Sequence, residues 1–204
     1  MSNDCLTCLG GESFAIAYVT GDARFGKTHF AIFLADSLSE KGFFPRLLDG
    51  SSFAAWTDEK LLSGKCSPDE VVIIDDANDY FSQLTEERSG QFVALVEAFR
   101  VNNSKLCFFS CQQLDQISSD QHVTSRLKPA LGFHMQNPAA EEIKELLAVM
   151  ARQRGIALSE RQISYLEKRV PRDIPALELF LQNVDYLSQV LGQPIKTSLL
   201  ADAL

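Results

Sequence analysis

Apolar positions divide this chain into two regimes. In the first, short apolar runs alternate with segments of helical rhythm. Residues 14–20 form a brief apolar run that stops at Gly21, and its length and turn-forming successor predict a buried strand rather than a helix. Over residues 30–40, Phe30, Ile32, Phe33, Leu34 and Leu38 recur at helical spacing, and Lys41-Gly42 supplies a stop. A second strand is expected at 44–48, a short helix at 58–62 and a loop over 63–68. The run from Val71 to Ile74 is the clearest buried strand, all apolar, rich in β-branched residues and closed by two aspartates. A helix follows at about 91–100, and another strand at 106–110. Strands alternating with helices predict a parallel sheet in a three-layer α/β fold.

After Pro138 the apolar residues recur only at helical spacing: Ile143, Leu146, Leu147, Met150; then Ile163, Leu166, Val170; then Leu177, Phe180, Leu181, Val184, Leu187. Three helices are expected, separated or ended at Gly155, Pro171 and Gly192. The chain thus reads as an α/β core over residues 1–137 and a small all-helical lid over 138–204.

Composition narrows this picture. With 204 residues, 46% of them hydrophobic and 23% charged, the chain is not a disordered one. It is long enough for a core that needs no staples, so the five cysteines read as plain core residues. No run approaches the ~18 apolar residues of a membrane span, and residues 1–10 lack the pattern of a signal peptide. A cytoplasmic home and no membrane association are the expectations. The net charge of −8 argues against a protein whose main business is the nucleic-acid backbone.

The chemistry concentrates in Gly21-Asp22-Ala23-Arg24-Phe25-Gly26-Lys27-Thr28, which fits G-x-x-x-x-G-K-[ST] between an expected strand and an expected helix. Such a loop aims backbone N–H groups at phosphate oxygens, and the helix N-terminus adds partial positive charge. Lys27 is placed against the β/γ phosphates and Thr28 on Mg²⁺. About fifty residues on, Asp75-Asp76 closes the 71–74 strand, where a nucleotide site needs one carboxylate for Mg²⁺ and often a second to orient water. Asp75 takes the metal role and Asp76 that of candidate base.

Together with Val123-Thr124-Ser125-Arg126-Leu127 and the helical tail through Glu178, these motifs resemble the AAA+ domain of the bacterial replication initiator DnaA. The closer likeness is to its short regulatory homologue Hda, and it covers nearly the whole chain. The resemblance implies an adenine nucleotide, ADP or ATP, with Mg²⁺. It implies candidate contacts from Gly21, Arg24, Phe25, Gly26, Lys27, Thr28 and His29, with His29 also a packing residue. Arg24 stands where many relatives carry a further glycine. Arg126 matches the arginine finger that reaches a neighbouring subunit's site in trans. At the first sensor position stand Ser110 and Cys111, Ser110 being the conventional hydrogen-bonding group there. The second sensor arginine falls on Pro175, with Arg172 nearby.

Losing charge-stabilising groups slows phosphoryl transfer by orders of magnitude, so binding is expected to outlive hydrolysis. The resemblance points to a regulatory module that controls replication initiation by touching the initiator, a related AAA+ protein or a second copy of itself. An active ATPase of helicase or clamp-loader type and a scaffold that has abandoned nucleotides are the competing readings. Direct DNA contact is not expected, since the chain stops at Leu204 without a helix-turn-helix segment. No sliding-clamp peptide is visible in residues 1–13.

Cys5-Leu6-Thr7-Cys8 is a C-x-x-C without a second pair; Cys66, Cys107, Cys111, His29, His122 and His134 are read as scattered singly, and zinc is not expected. Phe43, Phe44, Phe108 and Phe109 are read as strand core. Trp56 is read as a loop residue.

Overall fold

The computed structural model describes residues 1–117, 120–136, 138–170 and 172–204. Asn137 and Pro171, taken above as a boundary and a helix break, lie outside the described residues. The chain divides into two compact units, residues 1–135 and 136–204.

The first unit opens with helix α1 (Ser2–Leu9), strand β1 (Ala15–Thr20), helix α2 (Lys27–Glu40) and strand β2 (Phe44–Asp49). Helix α3 (Gly50–Ser63), strand β3 (Glu70–Asp75), helices α4 (Ala77–Ser82) and α5 (Glu86–Val101) and strand β4 (Lys105–Ser110) follow. Helix α6 (Gln121–Leu127) and strand β5 (Leu131–His134) complete it. The strands form one parallel sheet in the order β2-β3-β4-β1-β5.

Alternation along each strand sends side chains to opposite faces. On one face Ala17, Val19, Ile73, Cys107 and Phe109 pack against α1 and α2 through Leu9, Phe30, Leu34 and Leu38. On the other, Ile16, Tyr18, Val72, Ile74 and Phe108 meet Phe53, Tyr80, Phe81, Phe92, Phe99, Val123 and Leu127 from α3 to α6. The three-layer α/β architecture follows, with β3 and β4 buried on both faces. That double burial is why they read as unbroken apolar runs. Even Lys105 of β4 is buried, its Nζ donating to Pro68 O and lying over the Phe43 ring.

Several expectations need correcting. The short helix expected at 58–62 is a turn of α3, which starts at Gly50 under a cap: Asp49 Oδ1 accepts from Ser52 N–H at 2.7 Å. Only Gly50, Phe53 and Thr57 of α3 are fully buried, so its sequence shows almost no apolar stripe. Trp56 therefore lies on α3, stacked on Phe53 and edge-on to Phe99, rather than in a loop. Phe44 is 70% exposed instead of core, because β2 is a margin strand paired only with β3. Helices α1, α4 and α6 and strand β5 are additional elements.

The second unit holds α7 (Ala140–Gln153), α8 (Glu160–Leu166), α9 (Ile174–Leu191) and α10 (Thr197–Asp202), one helix more than the three expected. Its core joins Ile143, Leu147, Ile163, Leu166, Leu177, Leu181 and Val184 to Leu199 and Leu200 of α10. Asp173 caps α9 by accepting from Ala176 N–H at 2.9 Å, and Pro175 sits in its first turn, where a missing N–H is harmless. Among the described residues no helix is long and apolar enough to cross a membrane.

Candidate functional site

The loop from Gly21 to Gly26 joins the C-terminal end of β1 to α2. Gly21 N–H donates to Ser110 O at the end of β4, and a Cβ at Gly21 would stand 2.9 Å from Met135 Cβ, so this position has no room for a side chain. The chain then turns through Asp22–Phe25, with Phe25 N–H donating to Asp22 O at 3.3 Å. Two residues take left-handed backbone here, Arg24 at φ +65° and Gly26 at φ +81°. Glycine adopts that conformation freely, whereas an L side chain pays about 1–2 kcal/mol for it.

Lys27, the first residue of α2, is 7% exposed, and its Nζ donates to Gly21 O and Asp22 O at 2.9 Å each. Thr28 Oγ1 donates to Asp75 Oδ2 at 2.6 Å, bringing the start of α2 to the end of β3 across the intervening β4. Asp75 Oδ1 accepts the N–H of Asp76 at 3.1 Å. Asp76 is exposed, in left-handed backbone at φ +48°, as the cap residue of α4. Partial burial, and then repulsion from Asp75, Asp79 and Asp49, raise its carboxyl above the ordinary aspartate range, against the pull of Lys27. Asp49, at the end of β2, is held low by hydrogen bonds from Ser52.

Among the described residues no three His, Cys, Asp or Glu groups converge on a point that would enclose a metal. The Thr28–Asp75 pair suits Mg²⁺ instead, because that ion keeps most of its waters and takes one or two protein oxygens alongside phosphate. The donor set is hard oxygen throughout, and it adjoins a loop whose backbone and lysine suit phosphate.

The remaining candidates are distributed as follows. Phe25 is half-buried and His29 exposed on α2. Ser110 is fully buried, and its Oγ accepts from Gln112 N–H at 3.0 Å, while Cys111 is exposed at the same strand end. Arg126 on α6 donates through Nε to Glu97 of α5 at 2.8 Å and through Nη1 to Ser125 Oγ at 3.1 Å. Arg172 is exposed in the second unit. The structure therefore gathers Gly21 to Thr28 with Asp75 and Asp76. Arg126 is engaged on the α5–α6 surface.

Two partners were not visible in the sequence. Glu97 carries no motif, and only the α5–α6 packing pairs it with Arg126. Gly50 lets α3 approach α4, since a Cβ there would lie 2.7 Å from Asp76 O and 3.0 Å from Tyr80 N. Its one sequence signal is a glycine directly after a strand-ending aspartate. The cysteines are also less scattered than expected. Cys107 of β4 and Cys5 of α1 are buried in one cluster, and burial and neighbouring thiols raise Cys107. Burial and Cys5 push Cys8 up to about 11. Protonated buried thiols of this kind are packing groups.

A sheet ordered β2-β3-β4-β1-β5, with a glycine-containing loop after β1 and an acidic pair after β3, has the α/β fold of AAA+ P-loop domains. Domain III of the replication initiation protein DnaA from Thermotoga maritima matches 100% of this chain and 88% of its own, with a TM-score of 0.73 at 14% identity. The Thermotoga maritima RuvB Holliday junction branch migration motor matches 99% of this chain and 67% of its own, with a TM-score of 0.71 at 15% identity. AMPPCP-bound DnaA from Aquifex aeolicus matches 98% of this chain and 64% of its own, with a TM-score of 0.69 at 15% identity. The sequence matches no family model and no curated protein. At such identities the likeness is one of fold.

Proposed function

We propose that this chain binds an adenine nucleotide, ADP or ATP, with Mg²⁺ at the loop between β1 and α2. In this reading it works as a regulatory AAA+ module of replication initiation, through contacts with an initiator or related AAA+ protein. The observation that carries the reading is the Thr28–Asp75 hydrogen bond at 2.6 Å beside Lys27, because it sets the two Mg²⁺-side oxygens next to the phosphate lysine. The solved neighbours add support: a DnaA bound to AMPPCP has this fold.

Lys27, the backbone N–H groups of the loop and the N-terminal end of α2 take the phosphates. Thr28 and Asp75 hold the ion, which when bound neutralises charge on the phosphate oxygens. Phe25 and His29 flank the loop. Asp76, next to Asp75 and with its carboxyl raised, is the candidate to accept a proton from an attacking water. Little intrinsic hydrolysis is expected, because Cys111 is a poor water-orienting group and Pro175 carries no charge. Arg126, tied to Glu97 on the α5–α6 surface, is offered to a neighbouring subunit's nucleotide rather than to the chain's own.

Calorimetry with ADP and with ATP, each with Mg²⁺, tests this directly, with Lys27→Ala as control. Micromolar binding that the substitution abolishes supports the reading. Absence of binding by both nucleotides makes the fold an interaction scaffold, and rapid phosphate release by the isolated wild type makes it an ATPase.

A further inference from the structure

Arg24 occupies a position that its own backbone disfavours. It is the third residue of the Asp22–Phe25 turn and has φ +65°, a place where glycine or asparagine is the ordinary choice. Nothing local compensates: the side chain is exposed, and among the described residues its guanidinium has no hydrogen-bond or ion-pair partner. Strained left-handed residues persist where the side chain serves a site. The site here is the phosphate loop, and its other cation, Lys27, is buried and bonded to the carbonyls of Gly21 and Asp22. Arg24 is therefore the loop's solvent-side cation, at the mouth of a site whose helix N-terminus already favours anions.

We infer that Arg24 governs nucleotide release: its guanidinium pairs with the polyphosphate of a bound nucleoside di- or triphosphate and slows departure, and the chain accepts a less stable turn to keep it there. This rests on the nucleotide reading above. Guanidinium suits the role because it stays charged and forks onto phosphate oxygens. An unpaired exposed arginine is also free to swing onto an arriving ligand without first breaking an ion pair.

The inference makes stability and retention move in opposite directions, which a merely strained residue would not do. The test uses the whole chain as wild type, Arg24→Gly, Arg24→Asn and Arg24→Lys. Two quantities are measured: thermal melting without nucleotide, and stopped-flow release of fluorescent N-methylanthraniloyl-ADP chased with unlabelled ADP at several salt concentrations. Arg24→Gly and Arg24→Asn should melt about 2–4 °C higher, from relief of the turn. The same two should release the label about tenfold faster, the weight of one charge-assisted hydrogen bond, with a weaker salt dependence. Arg24→Lys keeps the charge and the strain, so it should melt like wild type and release within about threefold of it.

Release unchanged or slowed in Arg24→Gly, whatever its melting temperature, overturns the inference, and so does release accelerated equally in Arg24→Lys. A wild type that takes up no label, while Lys27→Ala behaves the same, instead overturns the nucleotide reading and this inference with it.

Discussion

Thr28 and Asp75 are 47 residues apart in the chain and share a hydrogen bond of 2.6 Å. The contact depends on two local facts: Gly26 ends the loop so that α2 starts beside β1, and β3 ends so that its last side chain faces that helix. Asp75→Asn keeps the size but removes the carboxylate charge, leaving a neutral hydrogen bond to Thr28 and a weaker ligand for a divalent ion. The expected outcome is an affinity for Mg²⁺–nucleotide lowered on the order of tenfold, reflecting about 1.5 kcal/mol, with affinity in EDTA unchanged. Titration calorimetry with and without Mg²⁺ checks this, and an equal loss in both conditions would refute the metal role.

Asp76 should make stability depend on pH in a definite direction. Its folded-state carboxyl titrates above the ordinary value of 3.8 because of burial and then repulsion by Asp75 and Asp79. The folded chain thus holds that proton more tightly than the unfolded one. Stability from this group is full below the ordinary value and is lost as pH rises through the raised one. Asp76→Asn, which also tolerates left-handed backbone, should therefore melt above wild type at pH 7, and the gap should close by about pH 3. Melting curves between pH 3 and 8 decide it, and a gap that widens on acidification counts against the assignment.

Gly50→Ala should be costly. Its Cβ would meet Asp76 O at 2.7 Å, a backbone atom with no freedom to swing aside. Overpacking of this kind costs about 1–3 kcal/mol. Urea unfolding should show that loss, and nucleotide affinity should fall as well because the strain falls on the Asp76 corner. A variant as stable as wild type would mean that α3 slides away readily.

Glu97→Gln should leave the fold almost untouched. The Glu97 and Arg126 side chains are 40% and 32% exposed, and surface ion pairs contribute about 0.2–1 kcal/mol. The expected change in melting temperature is within about 4 °C. A larger fall would make the pair structural and would weaken the case for Arg126 as a group kept for a neighbour.

Tyr80→Phe should be neutral or mildly stabilising. The Tyr80 side chain is buried, and among the described residues its hydroxyl has no hydrogen-bond partner, so it carries a desolvation cost with no return. A loss beyond about 1 kcal/mol in urea unfolding would indicate that the hydroxyl does have a partner in solution.

The central strands and the glycine-containing turn between β1 and α2 were legible in the sequence for one reason: each is defined by neighbours in the chain. β3 and β4 are sandwiched, so every residue from Val71 to Ile74 and from Leu106 to Phe109 is apolar. The loop's glycines, lysine and threonine are contiguous. Features created by approach between distant segments were not legible. Helix α3 hides behind alanines and serines and is fixed largely by Phe53 and the Asp49 cap. The four residues of β5 are too few for a pattern to emerge. Glu97, Gly50 and the Cys5–Cys107 contact gain meaning only when another element packs on them.

The exposed margin at β2 has a consequence for the chain's life in a crowded solution. A parallel sheet that ends in a strand paired on one side presents unpaired backbone groups, and this one also presents Phe44 and Leu47. Such a border invites further strands to add on. Pro45 removes one donor from it, and exposed Arg46 plants a charge that a docking strand would have to bury. The two residues act as a fence. They oppose the addition of a further strand along the open side of β2.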